Sequence, residues 1–448
     1  MIEIPAPLSP LDANSFAYFT FKDRLPVILA RIVDSLYRNK KVIIDELGED
    51  KIDCLKYITA EMSRLRHELT TDKAITFFDG NIFGDEQNWN DAIIEERSRL
   101  IKSRISDNDI TWFKCSFLFA ECYMYRRIYD SVLKSGIPEI DQFSFEKEEL
   151  LQKAMENQQF LTKYFINIWP TLPNCNKVLL LSYFEVIMKM SLWANEVDLS
   201  LSIKDEESKL NLDNPEKIIE DNNNKLLIDD YKDIFEFLFN KSTTKQEEVI
   251  VSIFVDNCGS ELLADLHFVE FLLASRLANK VIIYTKSMPW YISDVTERDF
   301  QATLSSLCKS NETLCQWLGK QIYSRLVDDC NLSVRSHHFL TLSCPFHKLK
   351  ILYPDFYHEI SNSTLIVFKG DLNYRKLVSD LHWPIANVSF YDSLLGFNPT
   401  TIVALRVLKC NVQVALTNET LSRVEKEHPD DWMISSRYGV IQSCFVKE

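Results

Sequence analysis

The chain has 448 residues, with 50 Lys and Arg against 65 Asp and Glu and a formal net charge of -15. So acidic a chain lacks the basic field that a sequence-independent grip on nucleic-acid phosphates or anionic lipid requires, so neither nucleic acid nor membrane is expected as a partner. Its length exceeds that at which one core keeps growing, and an apolar content of 46% with 28 Phe, 17 Tyr and 8 Trp supplies a substantial core, so two domains are expected.

In chain order, residues 19 to 200 are dominated by helical periodicity. Asp23 is expected as an N-cap with Pro26 at the helix start, and Ile28, Leu29, Ile32, Val33 and Leu36 then share one face. The aromatic run 111–133 and the apolar run 177–197 repeat the pattern, so residues 1–202 read as an all-helical N-terminal domain. Residues 204–230 hold nine acidic and four basic side chains, an Asn run and one Pro. That composition reads as a solvated linker or insertion, placed at 203–246. From 247 to 448, short β-branched runs alternate with amphipathic helices, the pattern of a mainly parallel sheet covered on both faces. The class expected is α/β, a Rossmann-like doubly wound sheet joined to the helical domain.

Three strand ends carry the chemistry. VSIFVDNCGSELLADLHF (251–268) stops at Asp256 and Asn257, and KVIIYTKSMPWYISDVTERDF (280–300) leads to Asp294. TLIVFKGDLNYRKL (364–377) ends in Lys369, Gly370, Asp371 and Asn373. Side chains at the carboxyl ends of neighbouring strands converge on one crevice in open α/β sheets. Two carboxylates and an amide oxygen there suit a hard divalent cation, and the lysine, aspartate and asparagine of the third strand end suit a phosphorylated polyol. Asp and Asn after strands also serve as ordinary turn and cap residues, but Ser260 and the Thr296–Asp299 capping box are already available for capping. Glu261 falls in a first helical turn, beside the metal motif. Arg406 and Lys409, at the end of the run 400–409, are candidates to neutralise phosphoryl oxygens. His337, His338, Cys344 and His347 match no standard zinc spacing. Only nine Gly occur, without G-x-G-x-x-G, P-loop or G-x-S-x-G patterns. Eleven Cys, odd in number and without a C-x-x-C pair, read as free thiols of a reducing compartment. The start lacks a signal pattern and no apolar stretch is expected to reach membrane-span length, so the cytoplasm is expected, with the nucleus as the alternative.

VDNCGSELLADL, PWYISDV and FKGDLNYRKL resemble the motifs of the metal-dependent damage-control phosphatases, in the branch of sugar phosphate phosphatases. SFAYFTFKDRLPVIL, ECYMYRR and WMISSRYGVIQ extend the resemblance over most of the chain. It implies Asp256, Asn257 and Asp294 as ligands of one Mn²⁺, Co²⁺, Ni²⁺ or Mg²⁺, and Arg24, Glu261, Lys369, Gly370, Asp371, Asn373, Arg406 and Lys409 in or around the substrate pocket. The branch's Arg-Thr-x-Lys signature stands here as Arg406, Val407, Leu408, Lys409, keeping both charges and losing the hydroxyl. The activity implied is hydrolysis of phosphomonoesters of small sugars or related metabolites, of the fructose 1-phosphate or fructose 6-phosphate type, with Asp256 and Glu261 as candidate general bases. The branch also carries an alternative, S-adenosylmethionine-dependent carboxyl methylation of protein glutamates, ranked second because the glycine-rich methyltransferase loop is missing. A non-catalytic interaction protein is the third reading.

Overall fold

The alternating apolar runs of the second half assemble into one seven-stranded sheet, described with its helices by a computed structural model covering residues 3–105, 110–203, 214–244 and 248–446. The strands are β1 (Leu226–Asp229), β2 (Ile250–Phe254), β3 (Lys280–Thr285), β4 (Leu332–Ser336), β5 (Leu365–Lys369), β6 (Thr401–Val407) and β7 (Gly439–Cys444), in the order β1-β7-β6-β5-β2-β3-β4. Strands β6, β5, β2, β3 and β4 run parallel, while β7 is antiparallel to β6 and carries β1 alongside it in parallel.

The strands alternate their side chains between two cores. Val251, Ile253, Val281, Ile283, Leu365 and Val367 join one apolar cluster, with side chains from the helices Lys177–Ile203 and Ser260–Ala274. Phe254, Ile282, Tyr284, Ile366 and Phe368 join the other, with Leu25 to Leu36 and the helix Phe117–Lys134. Both faces of the sheet are therefore covered, which is why its central strands are apolar at nearly every position. The helical half divides between the faces: residues 8 to 143 pack in one cluster and 154 to 194 in the other.

Several expectations meet a different arrangement. The linker placed at 203–246 lies partly outside the described residues, and its described part folds into the helix Pro215–Asn222, strand β1 and the helix Tyr231–Thr243, with β1 extending the sheet edge. Asp23 is no N-cap; it lies within a π-helical turn, Thr20–Arg24, that joins Phe16–Phe19 to Leu25–Arg38 in one continuous run. Lys177–Asn195 is, by length and composition, apolar enough to cross a membrane, contrary to expectation, and 61% of that stretch is buried inside the fold. All eleven cysteines are free.

Between β2 and β5 the strand order reverses: β3 and β4 lie on one side of β2, and β5 and β6 on the other. Ligand crevices in open α/β sheets form at such a switch point, outside the carboxyl ends of the strands. Asp256, Asp371 and Lys409 each follow one of these strands by two residues, and Asp294 closes the loop that leaves β3.

Candidate active site

A cavity of about 390 Å³ opens at the switch point, and Asp256, Asn257, Asp294, Asp371, Lys409 and Arg24 all line it. The metal motif is held at short range. Asp294 N donates to Trp290 O (3.1 Å), Val295 N donates to Asp256 O (2.8 Å), and Cys258 N donates to Ser293 O (2.7 Å). Asn257 and Asp294 thus pair as an isolated antiparallel bridge, which clasps the two strand ends together.

The side chains are oriented as firmly as the backbone. Asn257 Nδ2 donates to Asp256 Oδ2 (2.8 Å) and Glu261 Oε2 (2.9 Å), and Ser293 Oγ donates to Asn257 Oδ1 (2.6 Å). Asp256 lies against Gly370, whose φ is +84°; a Cβ there would come within 1.9 Å of Asp256 Oδ2. No side chain beyond hydrogen is sterically admissible at that position, and only glycine holds that φ without strain. The loop before Asp294 is itself strained, with Tyr291 at φ +42° and Ile292 at φ +73°. A β-branched residue in the left-handed region is an outlier, and such strain persists where the surroundings over-determine it. Here Tyr291 stacks on Tyr125 with ring centroids 4.4 Å apart, and both Tyr291 and Ile292 line the cavity.

The electrostatics favour a cation. Burial pushes the Asp256 carboxyl well above its usual range, and the negative charges of Asp294 and Glu261 push it further, against Lys286 and Lys409. Burial raises Asp294 too, with Lys286 opposing. Asp294 Oδ2 pairs with the buried Lys286 ammonium at 2.9 Å. Two crowded carboxylates beside a fixed amide carbonyl make an all-oxygen donor set suited to a small divalent cation. Among the described residues no group of three or more His, Cys, Asp or Glu could hold a metal, so the histidine and cysteine cluster at 337–347 is no rival.

Not every expected residue reaches the cavity. Lys369 is corrected: its ammonium is buried behind the metal motif, on Asp265 Oδ1 (2.8 Å), Ser191 Oγ (2.7 Å) and Ser191 O (2.6 Å), and it does not line the cavity. It shares strand parity with Leu365 and Val367, so the pleat delivers it to the helix Ser260–Ala274. Asn373 is corrected likewise, its Nδ2 donating to Lys369 O (2.8 Å) in the interior. Arg406, fully buried, reaches Asp371 Oδ1 (2.8 Å), Val412 O (2.5 Å) and Cys410 O (3.0 Å) and stacks over Tyr374; it braces Asp371 and the loop after β6 instead of clamping a phosphate. Burial would raise the Asp371 carboxyl, but Arg406, Arg375 and the Lys409 N–H together outweigh that and hold it below its usual value. Glu261 stands behind Asn257, bonded also to Asn195 Nδ2 (2.7 Å), which leaves Asp256 as the cavity's candidate base. Ser260, expected as an N-cap, is the first helical residue, after the N-cap Gly259, while the Thr296–Asp299 capping box is present.

Sequence reasoning passed over Lys286, Ser293, Tyr291, Glu121 and Arg375. Lys286 had a signal, a lone charge ending the apolar run of β3. Glu121 and Arg375, 254 positions apart, meet on the cavity wall at 2.7 Å, and no local pattern announces such a pair.

The family model described as the damage-control phosphatase ARMT1-like domain matches residues 20–424. The damage-control phosphatase ARMT1 of Mus musculus is 35% identical over 447 residues, covering 99% of this chain and 99% of its own. That of Danio rerio is 34% identical over 98% of this chain and 96% of its own, and that of Homo sapiens 33% identical over 99% of each. A crystal structure of a DUF89 family protein from Pyrococcus horikoshii is similar over 87% of this chain and 97% of that one, at 17% identity and a TM-score of 0.40.

Proposed function

Since the chain belongs to the ARMT1-like damage-control phosphatase family, whose members are metal-dependent phosphatases, we propose that it hydrolyses phosphomonoesters of small sugars, of the fructose 1-phosphate or fructose 6-phosphate type, in the cytoplasm. The observation that carries this reading is the convergence of Asp256, Asn257 and Asp294 with Arg24 and Lys409 on one cavity. Asp256, Asn257 and Asp294 would hold one Mn²⁺, Co²⁺, Ni²⁺ or Mg²⁺. A bound divalent cation supplies positive charge to a phosphoryl group as it transfers.

Phosphoryl transfer asks a protein chiefly for positioning and charge stabilisation. Arg24 and Lys409, the cations contributed by the first helical run and the end of β6, approach phosphoryl oxygens from the cavity wall and favour the charge that develops on them. Ser293 and Glu261 fix the Asn257 amide so that it does not rotate away from the site, and Lys286 holds Asp294 from behind. Asp256, which lines the cavity, is the candidate to accept the proton of the attacking water.

Metal-stripped protein resupplied with one cation at a time tests the reading. Phosphate release from fructose 6-phosphate is expected with at least one of the four cations and is expected to vanish with excess chelator. Silence across the whole panel, with transfer of label from S-adenosylmethionine to protein carboxylates, would establish methyl transfer in its place.

A further inference from the structure

One buried carboxylate on the cavity wall has no part in the chemistry above. Glu121 stands one turn after Phe117 on the helix Phe117–Lys134, and both line the cavity, so one helix face presents a ring and then a carboxylate. Phe16 lines it beside them, its ring centroid 6.1 Å from that of Phe117 in edge-to-face contact. Arg375, one turn after Asp371 on the helix Gly370–Leu377, donates from Nη1 to Glu121 Oε2 at 2.7 Å.

That ion pair does not use up Glu121. Arg375 Nε and Nη2 each donate to one oxygen of Asp380 at 2.9 Å, and the guanidinium lies 4.2 Å from the Phe117 ring centroid. The two-pronged contact with Asp380 already gives the buried guanidinium a counter-ion, and Glu121 joins it through a single oxygen. Glu121 Oε1 meets no donor among the described residues, although the side chain is only 4% exposed. Since Glu121 lines the cavity with Oε2 taken, Oε1 is the acceptor it offers there. A buried carboxylate oxygen left without a donor is costly, so water meets it in the empty cavity and a ligand donor replaces that water when the cavity fills. An ionised phosphate has no hydrogen to donate, so the donor belongs to the rest of the substrate. The metal motif lies within electrostatic reach: burial raises the Tyr125 hydroxyl, and the negative charges of Glu121 and Asp294 both add to that.

We propose that Glu121 reads the organic end of the substrate, its Oε1 accepting a hydrogen bond from a hydroxyl while the Phe16 and Phe117 rings cover C–H groups beside it. A ring surface next to a carboxylate matches a polyol, whose carbon chain carries both kinds of group. Glu121 is thus a specificity-determining residue, and this rests on the phosphatase reading above.

The test sets fructose 6-phosphate against phenyl phosphate, whose organic part has no hydroxyl, with the cation that supports turnover, for the unaltered protein and Glu121→Gln. The variant keeps the shape and leaves Arg375 an amide oxygen to meet, while the cavity loses its charged acceptor. kcat/KM for fructose 6-phosphate is expected to fall about tenfold, the scale of one hydrogen bond to a charged group, and that for phenyl phosphate to stay within about twofold. The 1-, 3- and 4-deoxy analogues of fructose 6-phosphate supply the second arm. At least one is expected to react about tenfold more slowly than fructose 6-phosphate with the unaltered protein, and about equally fast with Glu121→Gln, because the two deletions remove the same contact. Equal losses on fructose 6-phosphate and phenyl phosphate in the variant mean a structural role and overturn the proposal, as does turnover of phenyl phosphate alone by the unaltered protein. So does a full set of deoxy analogues that the unaltered protein uses as well as fructose 6-phosphate, a result that needs no variant to fold. In each of these cases the chain is still a phosphatase; no turnover of either substrate by the unaltered protein with any of the four cations would remove the phosphatase reading itself.

Discussion

Gly370→Ala is expected to lower kcat/KM about 10²-fold, the scale on which a displacement of about 1 Å at a reacting centre acts. A Cβ at that position would overlap the Asp256 carboxylate at 1.9 Å from Oδ2 and 2.2 Å from Cγ, so the carboxylate has to leave its place or the strand end has to shift. Backbone strain adds to this, since φ is +84° and an alanine pays about 1–2 kcal/mol in the left-handed region. Gly396 separates the two causes. Its φ is +87° but nothing lies within 4 Å of its added Cβ, so Gly396→Ala carries the backbone strain without the collision. Steady-state kinetics of the pair, with thermal melts alongside, should show both variants destabilised and only Gly370→Ala depleted in activity. Equal activity in the two would show that Asp256 does not depend on the empty space above Gly370.

Asp256→Asn should cost still more activity, at least about 10³-fold in kcat/KM, because it removes a metal donor and the candidate base together. Its effect on stability has the opposite sign in metal-free protein. Asp256 is buried beside Asp294 and Glu261, and its carboxyl is raised well above the ordinary value near 4. A carboxyl raised by folding contributes its stability below the unfolded pKa and loses it as pH rises through the folded value. At neutral pH the Asp256 carboxyl therefore burdens the metal-free fold, and the neutral asparagine relieves it. Metal-stripped Asp256→Asn should melt above the metal-stripped parent at neutral pH, and the difference should shrink toward pH 4. Added Mn²⁺ should reverse the order, since ligand bound to the native state stabilises the parent alone. A variant that melts lower than the parent under all of these conditions would mean that the two carboxylates are not in conflict.

Much of this arrangement could be read from the chain because strand ends are legible. An apolar run that stops at Asp256 and Asn257, and another that leads to Asp294, locate oxygen donors at one edge of a parallel sheet before any coordinate is known. What could not be read is the direction in which each side chain leaves its strand. Arg406 shares parity with Ile402 and Ala404, and so enters the core on their side, where it braces Asp371. Lys369 takes the opposite parity and ends on Asp265. A shift of one position would have exchanged interior and exterior for either residue, and composition does not fix that register. The missed strands have their own reasons. β1 has only four residues, and its three apolar ones, Leu226 to Ile228, are set in an acidic stretch; β4, at the other edge, is mostly half-exposed or exposed and presents no apolar run. Pairs such as Glu121 with Arg375 are made by the chain folding back over hundreds of positions, and the sequence carries no spacing to mark them.

Anomalous diffraction from crystals of the protein soaked in Mn²⁺ tests the central claim most directly. One peak is expected at the switch point, bonded to Asp256, Asn257 Oδ1 and Asp294 at about 2.0–2.2 Å, the range of small divalent cations with oxygen, and absent from Asp256→Asn crystals treated alike. A peak bound elsewhere, with Asp256 and Asp294 free of it at saturating Mn²⁺, would contradict the account.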